Sequence, residues 1–225
     1  MTDNFKTNEE MLEEWDWRKA QPIGRAVPRS TAHKEGIPHE GVHLWIIRNQ
    51  KGYPEILFQQ RAKHKDTYPD CLDITVGGHV PFGVNDNKIQ KESIEEIGIS
   101  PSYKELADLG YFRYEDRSES MFHREFQHVY LLLDNRPIDE YSFNDGEVVA
   151  ITSVPLDDLE LLLKKEFSFL ATEYDGERIN KKHLSRKDFH PLLFVNIMSE
   201  YMRVVIEGAK EIACKGYVTV KMPPL

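Results

Sequence analysis

Apolar and polar positions along this 225-residue chain change period several times, and each change marks an expected element. Gly41 to Arg48 (GVHLWIIR) and Pro54 to Gln60 (PEILFQQ) are rich in branched and aromatic residues. They read as strands joined by a turn over Asn49 to Tyr53. Leu72 to Val80 is a third apolar stretch, ending in the pair Gly77-Gly78 and His79. Residues 86–97 carry the spacing of a short amphipathic helix. Asn87 with Gln90 three residues on resembles a capping arrangement, and Gly98 fits a left-handed stop. Further strands are expected near Lys104 to Tyr114, Phe122 to Leu133 and Glu147 to Val154. Pro155 opens a helix through Leu163, since a first-turn proline loses no helical hydrogen bond. A longer helix is expected over Pro191 to Ile206 and a last strand over Tyr217 to Lys221. Trp15 and Trp17, followed by Pro22-Ile23-Gly24, suggest an N-terminal β-hairpin turning at those three residues, although the run before Trp15 equally fits a helix. This order of elements gives an α/β or α+β fold, a mixed β-sheet between helices.

The short helix carries the first candidate chemistry. Rotated by 100° per residue, Ile89, Ser93, Ile94 and Ile97 fall within an arc of about 140°. Glu92, Glu95 and Glu96 fall on the other side, within about 100° of one another. Like charges at this spacing repel by about 0.2–0.5 kcal/mol, and a divalent cation would turn that repulsion into coordination. The bland reading is an ordinary solvated face, and from the helix alone it is the commoner case. The Phe122 to Leu133 strand adds a polar row, His123, Glu125 and Gln127, facing away from Phe122, Phe126 and Tyr130. Such a row lines a cavity, with Glu125 as a base or metal ligand, or belongs to an edge strand facing water. Arg61, Lys63 and Lys65 are candidates to meet phosphate oxygens, with a solvated basic turn as an equal alternative.

Charge narrows the partners. A net charge of −9 with no basic stripe argues against long nucleic acid. A small phosphorylated substrate remains compatible, provided a divalent cation screens the site. No run approaches 18 apolar residues, so no membrane-spanning helix is expected. The first 30 residues lack a secretory pattern, and only Cys71 and Cys214 are present, in no metal spacing; a cytoplasmic location is expected. The apolar C-terminal residues Leu192, Leu193, Val195, Ile197, Met198, Met202 and Val205 serve either the core or a homodimer interface.

The order Gly77-Gly78-His79, loop, then Lys91-Glu92-Ser93-Ile94-Glu95-Glu96-Ile97-Gly98-Ile99 resembles the Nudix box. Gln60-Arg61-Ala62, Lys65, Pro69 and Asp73, with Ala32 to Gly36 and His39, resemble the branch containing isopentenyl-diphosphate isomerase and its hydrolase relatives. The resemblance implies a single Nudix domain over 1–225: an N-terminal extension to residue 38, a core over 39–165 and a C-terminal helical extension over 166–225. It implies Mg²⁺, or Mn²⁺, held by Glu92, Glu95 and Glu96, with Glu92, Glu96 and Glu125 catalytic. Arg61, Lys65 and His79 are the candidates for binding substrate, with Gly78, Lys91 and Glu147 as further site residues. His33, His39 and His79 match histidines that hold the isomerase metal, while its two strand carboxylates fall near His123 and Glu125.

The departures are specific. The loop is one residue short, the glutamate expected before the helix is Val84, the box arginine is Lys91, and an apolar helix position is Ser93. The isomerase cysteine falls on Gly77. The leading expectation is therefore metal-dependent hydrolysis of a diphosphate linkage in a nucleoside-diphosphate-like or other organic substrate. The alternative is a degenerate fold that binds a ligand or protein, and prenyl-diphosphate isomerisation ranks below both.

Overall fold

The computed structural model describes residues 9–65, 67–84, 86–117 and 121–225. Met11–Asp16 (β1) and Gln21–Pro28 (β2) form an antiparallel hairpin. It turns earlier than the proline and glycine suggest. Asp16 Oδ1 accepts hydrogen bonds from the backbone N–H groups of Arg18 and Lys19, both at 2.9 Å, and closes the turn at residues 17–20. Gly24 instead lies within β2, where its N–H donates to Glu13 Oε1 at 3.1 Å. Helix α1 (Arg29–Glu35) follows and stops at Gly36.

His39–Gln50 (β3) is the centre of a nine-stranded mixed sheet. It turns through Lys51 and Gly52, both at positive φ, into the antiparallel Tyr53–Arg61 (β4). The apolar stretch after it is two short strands, Leu72–Asp73 (β5) on β4 and Val76–His79 (β6) on β3. Thr75 divides them, because its hydroxyl donates to Leu57 O and accepts from Ile46 N. Helix α2 covers Lys88–Ile97, then Leu106–Arg117 (β7) and Phe122–Leu133 (β8) form a long hairpin. Strand β8 runs parallel to β3, so it is internal and not an edge facing water. Val148–Pro155 (β9) pairs with β4, and helix α3 (Leu156–Lys164) begins after Pro155.

The C-terminal segment departs from expectation. Residues 166–225 open with a hairpin, Phe169–Tyr174 (β10) and Ile179–Leu184 (β11), which extends the sheet from β9. Pro191–Phe194 is only a 3-10 turn, and helix α4 runs over Met198–Lys215. Tyr217 to Lys221 is not a strand. Its Thr219 and Val220 N–H groups bond to the Glu211 carboxylate, at 2.6 and 3.2 Å, in place of a neighbouring strand. Asn87 also departs: it sits at positive φ and makes no side-chain cap.

Alternate residues of β3 feed two cores. Trp45 and Ile47 pack with Phe58, Leu159 and Tyr201 beneath α3 and α4. Leu44 and Ile46 pack with Val76, Ile89 and Ile97 beneath α2. Met202 and Val205 belong to the first core, so these two of the C-terminal apolar residues serve the protein's own interior. Tyr201 is fully buried, and its hydroxyl accepts from Trp45 Nε1 at 2.8 Å and pairs with His43 Nδ1 at 2.9 Å. Tyr201→Phe should therefore lower stability by about 1–3 kcal/mol, since two buried polar atoms lose their partner. Urea unfolding reads the change, and an unaltered midpoint would mean that the hydroxyl contributes nothing.

Candidate functional site

Strand register builds one half of the site. The parallel β3–β8 pairing sets His39 opposite Glu125, and the antiparallel β3–β6 pairing sets Gly41 opposite His79. Helix α1 adds His33 from its last turn. Donor atoms of His33, His39, His79 and Glu125 lie within 4.8 Å of one another. His33 Nε2 is 3.1 Å from His79 Nε2. Glu125 Oε1 is 3.8 Å from both His39 Nε2 and His79 Nε2, and 3.5 Å from His123 Nδ1. His39 is completely buried; its Nδ1 bonds Ile37 O, and its Nε2 has no hydrogen-bond partner among the described residues.

These contacts set the charges. Burial, then the neighbouring His79 and His39, depresses the His33 imidazole to about 3. Burial alone would raise Glu125, but the neighbouring imidazoles of His123, His79 and His39 hold it well below the usual carboxylate range. A buried carboxylate among imidazole nitrogens, one of them unpartnered, is a donor set that can hold a transition-metal ion.

Helix α2 supplies the other half. Its apolar arc is narrower than its sequence suggests, since Ile94 is 47% exposed while Glu96 is turned inward. Glu96 Oε2 accepts from Gly77 N at 3.2 Å and Gln59 Nε2 at 3.3 Å. Burial pushes its carboxyl well above the ordinary value. Its oxygens lie within 4.8 Å of donors on Asp145 and Glu147, in the turn before β9. Asp145 holds that turn by accepting from Glu147 N at 2.8 Å, and Glu147 is ion-paired with Lys65. Asp145 escaped the sequence reading, whose only signal there was an Asp-Gly turn beside Glu147.

Glu92 reaches a different place. It lies over Gly78, where a Cβ would come within 2.5 Å of Glu92 Oε2. At Gly41 a Cβ would be 3.7 Å from Glu125 Oε2. Gly78 thus leaves room for Glu92 on the α2 face of the sheet, and Gly41 leaves room for Glu125 on the opposite face. Burial raises the Glu92 carboxyl. Lys91 bridges Glu92 at 3.5 Å and the exposed Glu95 at 3.2 Å. Neither Glu92 nor Glu95 belongs to the group around Glu96, so the three helical glutamates do not converge among themselves.

Both halves open onto one cleft of about 1120 Å³. Arg61 lines it, but its guanidinium is engaged by Tyr68 O at 3.0 Å, Thr67 O at 2.9 Å and Asp73 at 3.2 Å. Apolar side chains from the C-terminal segment, Leu192, Leu193 and Met198, form another wall. His43 and Tyr201 also line it, and burial lowers the His43 imidazole to about 4.

A NUDIX domain model matches residues 37–172, more than half of the chain. The chain belongs to the Nudix family. It is 29% identical over 81% of its length to an uncharacterized Nudix hydrolase of Clostridium acetobutylicum, of which the match covers 91%. It is 27% identical, over 60% of its length and 67% of the other protein, to an isopentenyl-diphosphate Δ-isomerase of Streptomyces avermitilis. The crystal structure of the Deinococcus radiodurans protein DR0079 superposes with a TM-score of 0.50 at 20% identity, covering 69% of this chain and 88% of that one. That likeness is one of fold.

Within this Nudix chain the departures from the box have a structural account. Val84 does not line the cleft; it packs with the apolar cluster beneath α2, beside Val80 and Lys88. A glutamate introduced there would be turned from the helical carboxylates. Ser93 is buried and returns its hydroxyl to Ile89 O at 2.6 Å, so a polar residue is tolerated at an apolar position. Gly77 sits against Ile74 and His43, and its N–H serves Glu96.

The lowered His43 imidazole gives a pH signature. The unfolded chain takes up this proton near the ordinary value of 6.5, the folded chain only near 4. Its contribution to stability is complete above about pH 6.5 and is lost as pH falls toward 4. Urea midpoints measured across that window should fall more in the parent than in His43→Gln, which keeps a partner for Tyr201. Parallel falls would show an ordinary histidine.

Proposed function

We propose that this chain is a divalent-cation-dependent hydrolase that cleaves a diphosphate linkage in a small nucleoside-diphosphate-like or other organic substrate. The observation that carries the reading is one cleft lined by Glu92, Glu125 and the mutually close Glu96, Asp145 and Glu147. An all-oxygen set of this kind suits Mg²⁺, and Mn²⁺ also fits; Glu96, Asp145 and Glu147 would hold it, with Glu92 and Glu95 further along the same cleft. When bound, such a cation neutralises phosphate oxygens and offsets an acidic site that would otherwise repel its substrate.

The side chains account for the remaining chemistry. Glu125 stays ionised beside the imidazoles of His123 and His79, so it is free to accept a proton from an attacking water. The water oxygen then bonds to phosphorus as the bridging oxygen departs. Lys65, now paired with Glu147, and His79 are positioned to meet phosphate oxygens. Gly78 leaves the space that a side chain would take from Glu92.

Isomerisation of a prenyl diphosphate is not part of this reading. Gly77 carries no thiol, and burial pushes the Cys71 thiol up to about 12, so it stays protonated at neutral pH. A second reading, binding without cleavage, draws support from Lys91, which already pairs with Glu92 and Glu95.

Purified protein with Mg²⁺ or Mn²⁺ should release phosphate or a monophosphate from at least one member of a panel of organic diphosphates, and a chelator should abolish the release. Glu96→Gln should lower kcat by about a hundredfold or more with the fold retained by circular dichroism. Equal turnover in that variant would make Glu96 a structural residue. Binding by calorimetry with no turnover across the panel would favour the second reading. Isopentenyl diphosphate should yield no dimethylallyl diphosphate; its appearance would return the isomerase reading.

A further inference from the structure

The hydrogen bonds around His43 fix which of its two nitrogens carries the proton. Trp45 Nε1 has only a hydrogen to give, so the Tyr201 hydroxyl accepts there, at 2.8 Å. His43 Nδ1 lies 2.9 Å from the same hydroxyl and is its other partner among the described residues. Tyr201 is fully buried, and a hydroxyl that accepted from both neighbours would leave its own hydrogen without an acceptor. The hydroxyl therefore donates to His43 Nδ1, and in the uncharged ring the remaining hydrogen resides on Nε2. Burial keeps the ring uncharged at neutral pH: it lowers the imidazole to about 4, outweighing the opposite pull of Glu125 and Asp73.

Nε2 is thus a donor and not a metal ligand, which sets His43 apart from the nearby group of His33, His39, His79 and Glu125. Its direction diverges from that of Nδ1, away from Tyr201, and the half-buried ring lines the cleft. The ring's hydrogen bond among the described residues is the one to Tyr201, so Nε2 has no acceptor there. Gly77 lies opposite His43 in the β3–β6 ladder, and its N–H donates to Glu96 at 3.2 Å. Through Gly77 the imidazole borders the acidic group of Glu96, Asp145 and Glu147 without bonding to it. An uncharged donor at that place attracts an anionic oxygen and does not repel a cation held nearby, as an imidazolium would.

We propose that His43 touches the substrate, its Nε2–H donating to a phosphate oxygen of the ligand held in the cleft. This role rests on the hydrolase reading only for the identity of that oxygen. The proton stays on nitrogen throughout. Negative charge that grows on the departing phosphate meets a donor whose orientation Tyr201 has already fixed.

Two-bond ¹H–¹⁵N spectra of the imidazoles read the tautomer directly, with His43→Gln as the assignment control. At neutral pH the parent should show His43 in its Nε2–H form. Methylenediphosphonate, added to protein already saturated with Mg²⁺, should then shift the Nε2 resonance. This probe is uncleavable and has phosphate-like oxygens with no organic group, so the shift reports the anion. By calorimetry His43→Phe should weaken the probe about tenfold. His43→Gln, whose amide accepts from Tyr201 and donates into the cleft, should retain most of the affinity. The spectra decide the matter even if the Phe variant fails to fold. An Nδ1–H or charged ring, an Nε2 resonance unmoved by the probe, or equal affinities in the Phe and Gln variants would each overturn the assignment. A shifted resonance in protein that cleaves no diphosphate would support the donor and overturn the hydrolase reading; cleavage with an unmoved resonance would do the reverse.

Discussion

Strand β3 is hydrogen-bonded in three directions, to β4 and β6 antiparallel and to β8 parallel, and the rest of the molecule is arranged around that constraint. The parallel partnership is demanding, because it joins segments some 80 residues apart in register. A slip of one residue between β3 and β8 would leave His39 and Glu125 on opposite faces and send one strand's core residues to the wrong cluster. The register is held by burial on both faces: Leu44 and Ile46 serve one cluster, Trp45 and Ile47 the other. Polar residues survive at the N-terminal end of this strand because the cleft opens there.

Charge is distributed unevenly within that cleft. Glu125 is enclosed yet ionised, since the imidazoles of His123, His79 and His39 around it outweigh its desolvation. Glu96 is equally enclosed but carries only the Gly77 and Gln59 donors, and burial drives its carboxyl upward. Two acidic residues of one cleft are thus poised in opposite senses, the condition under which one fold separates proton-accepting from proton-holding carboxylates. A cation beside Glu96 would reverse its shift, which couples metal binding to proton release.

The walls of the cleft come from segments of different origin. Helix α1, which contributes His33, precedes the family match, and the wall around His190 and Met198 follows it. The matched core contributes Gly41 and Gly78, helix α2 and the Asp145–Glu147 turn. Arg61 links the two kinds of wall, spending its planar fork on backbone carbonyls of the Tyr68 turn. Its effect on the cleft is exerted through the shape of that turn.

Local chemistry made much of this legible. Branched and aromatic runs gave β3, β4 and β8, Gly98 gave the end of α2, and the box carboxylates marked the helix that faces the cleft, because each signal lies within a few residues of its effect. Turn chemistry was less transparent: Asp16, not Pro22 or Gly24, closes the first hairpin through two short backbone bonds. Partners distant in sequence were beyond reach. Helical periodicity set Glu92, Glu95 and Glu96 on one side, but could not say that Glu96 turns toward Asp145 while Glu92 turns toward Gly78. Val84 was read as a gap among the carboxylates, yet the loop carries it into an apolar cluster. The chain by itself determined which residues could bear charge. Only the register of β3 against β6 and β8, a balance of packing on two faces, decided which of those charges meet.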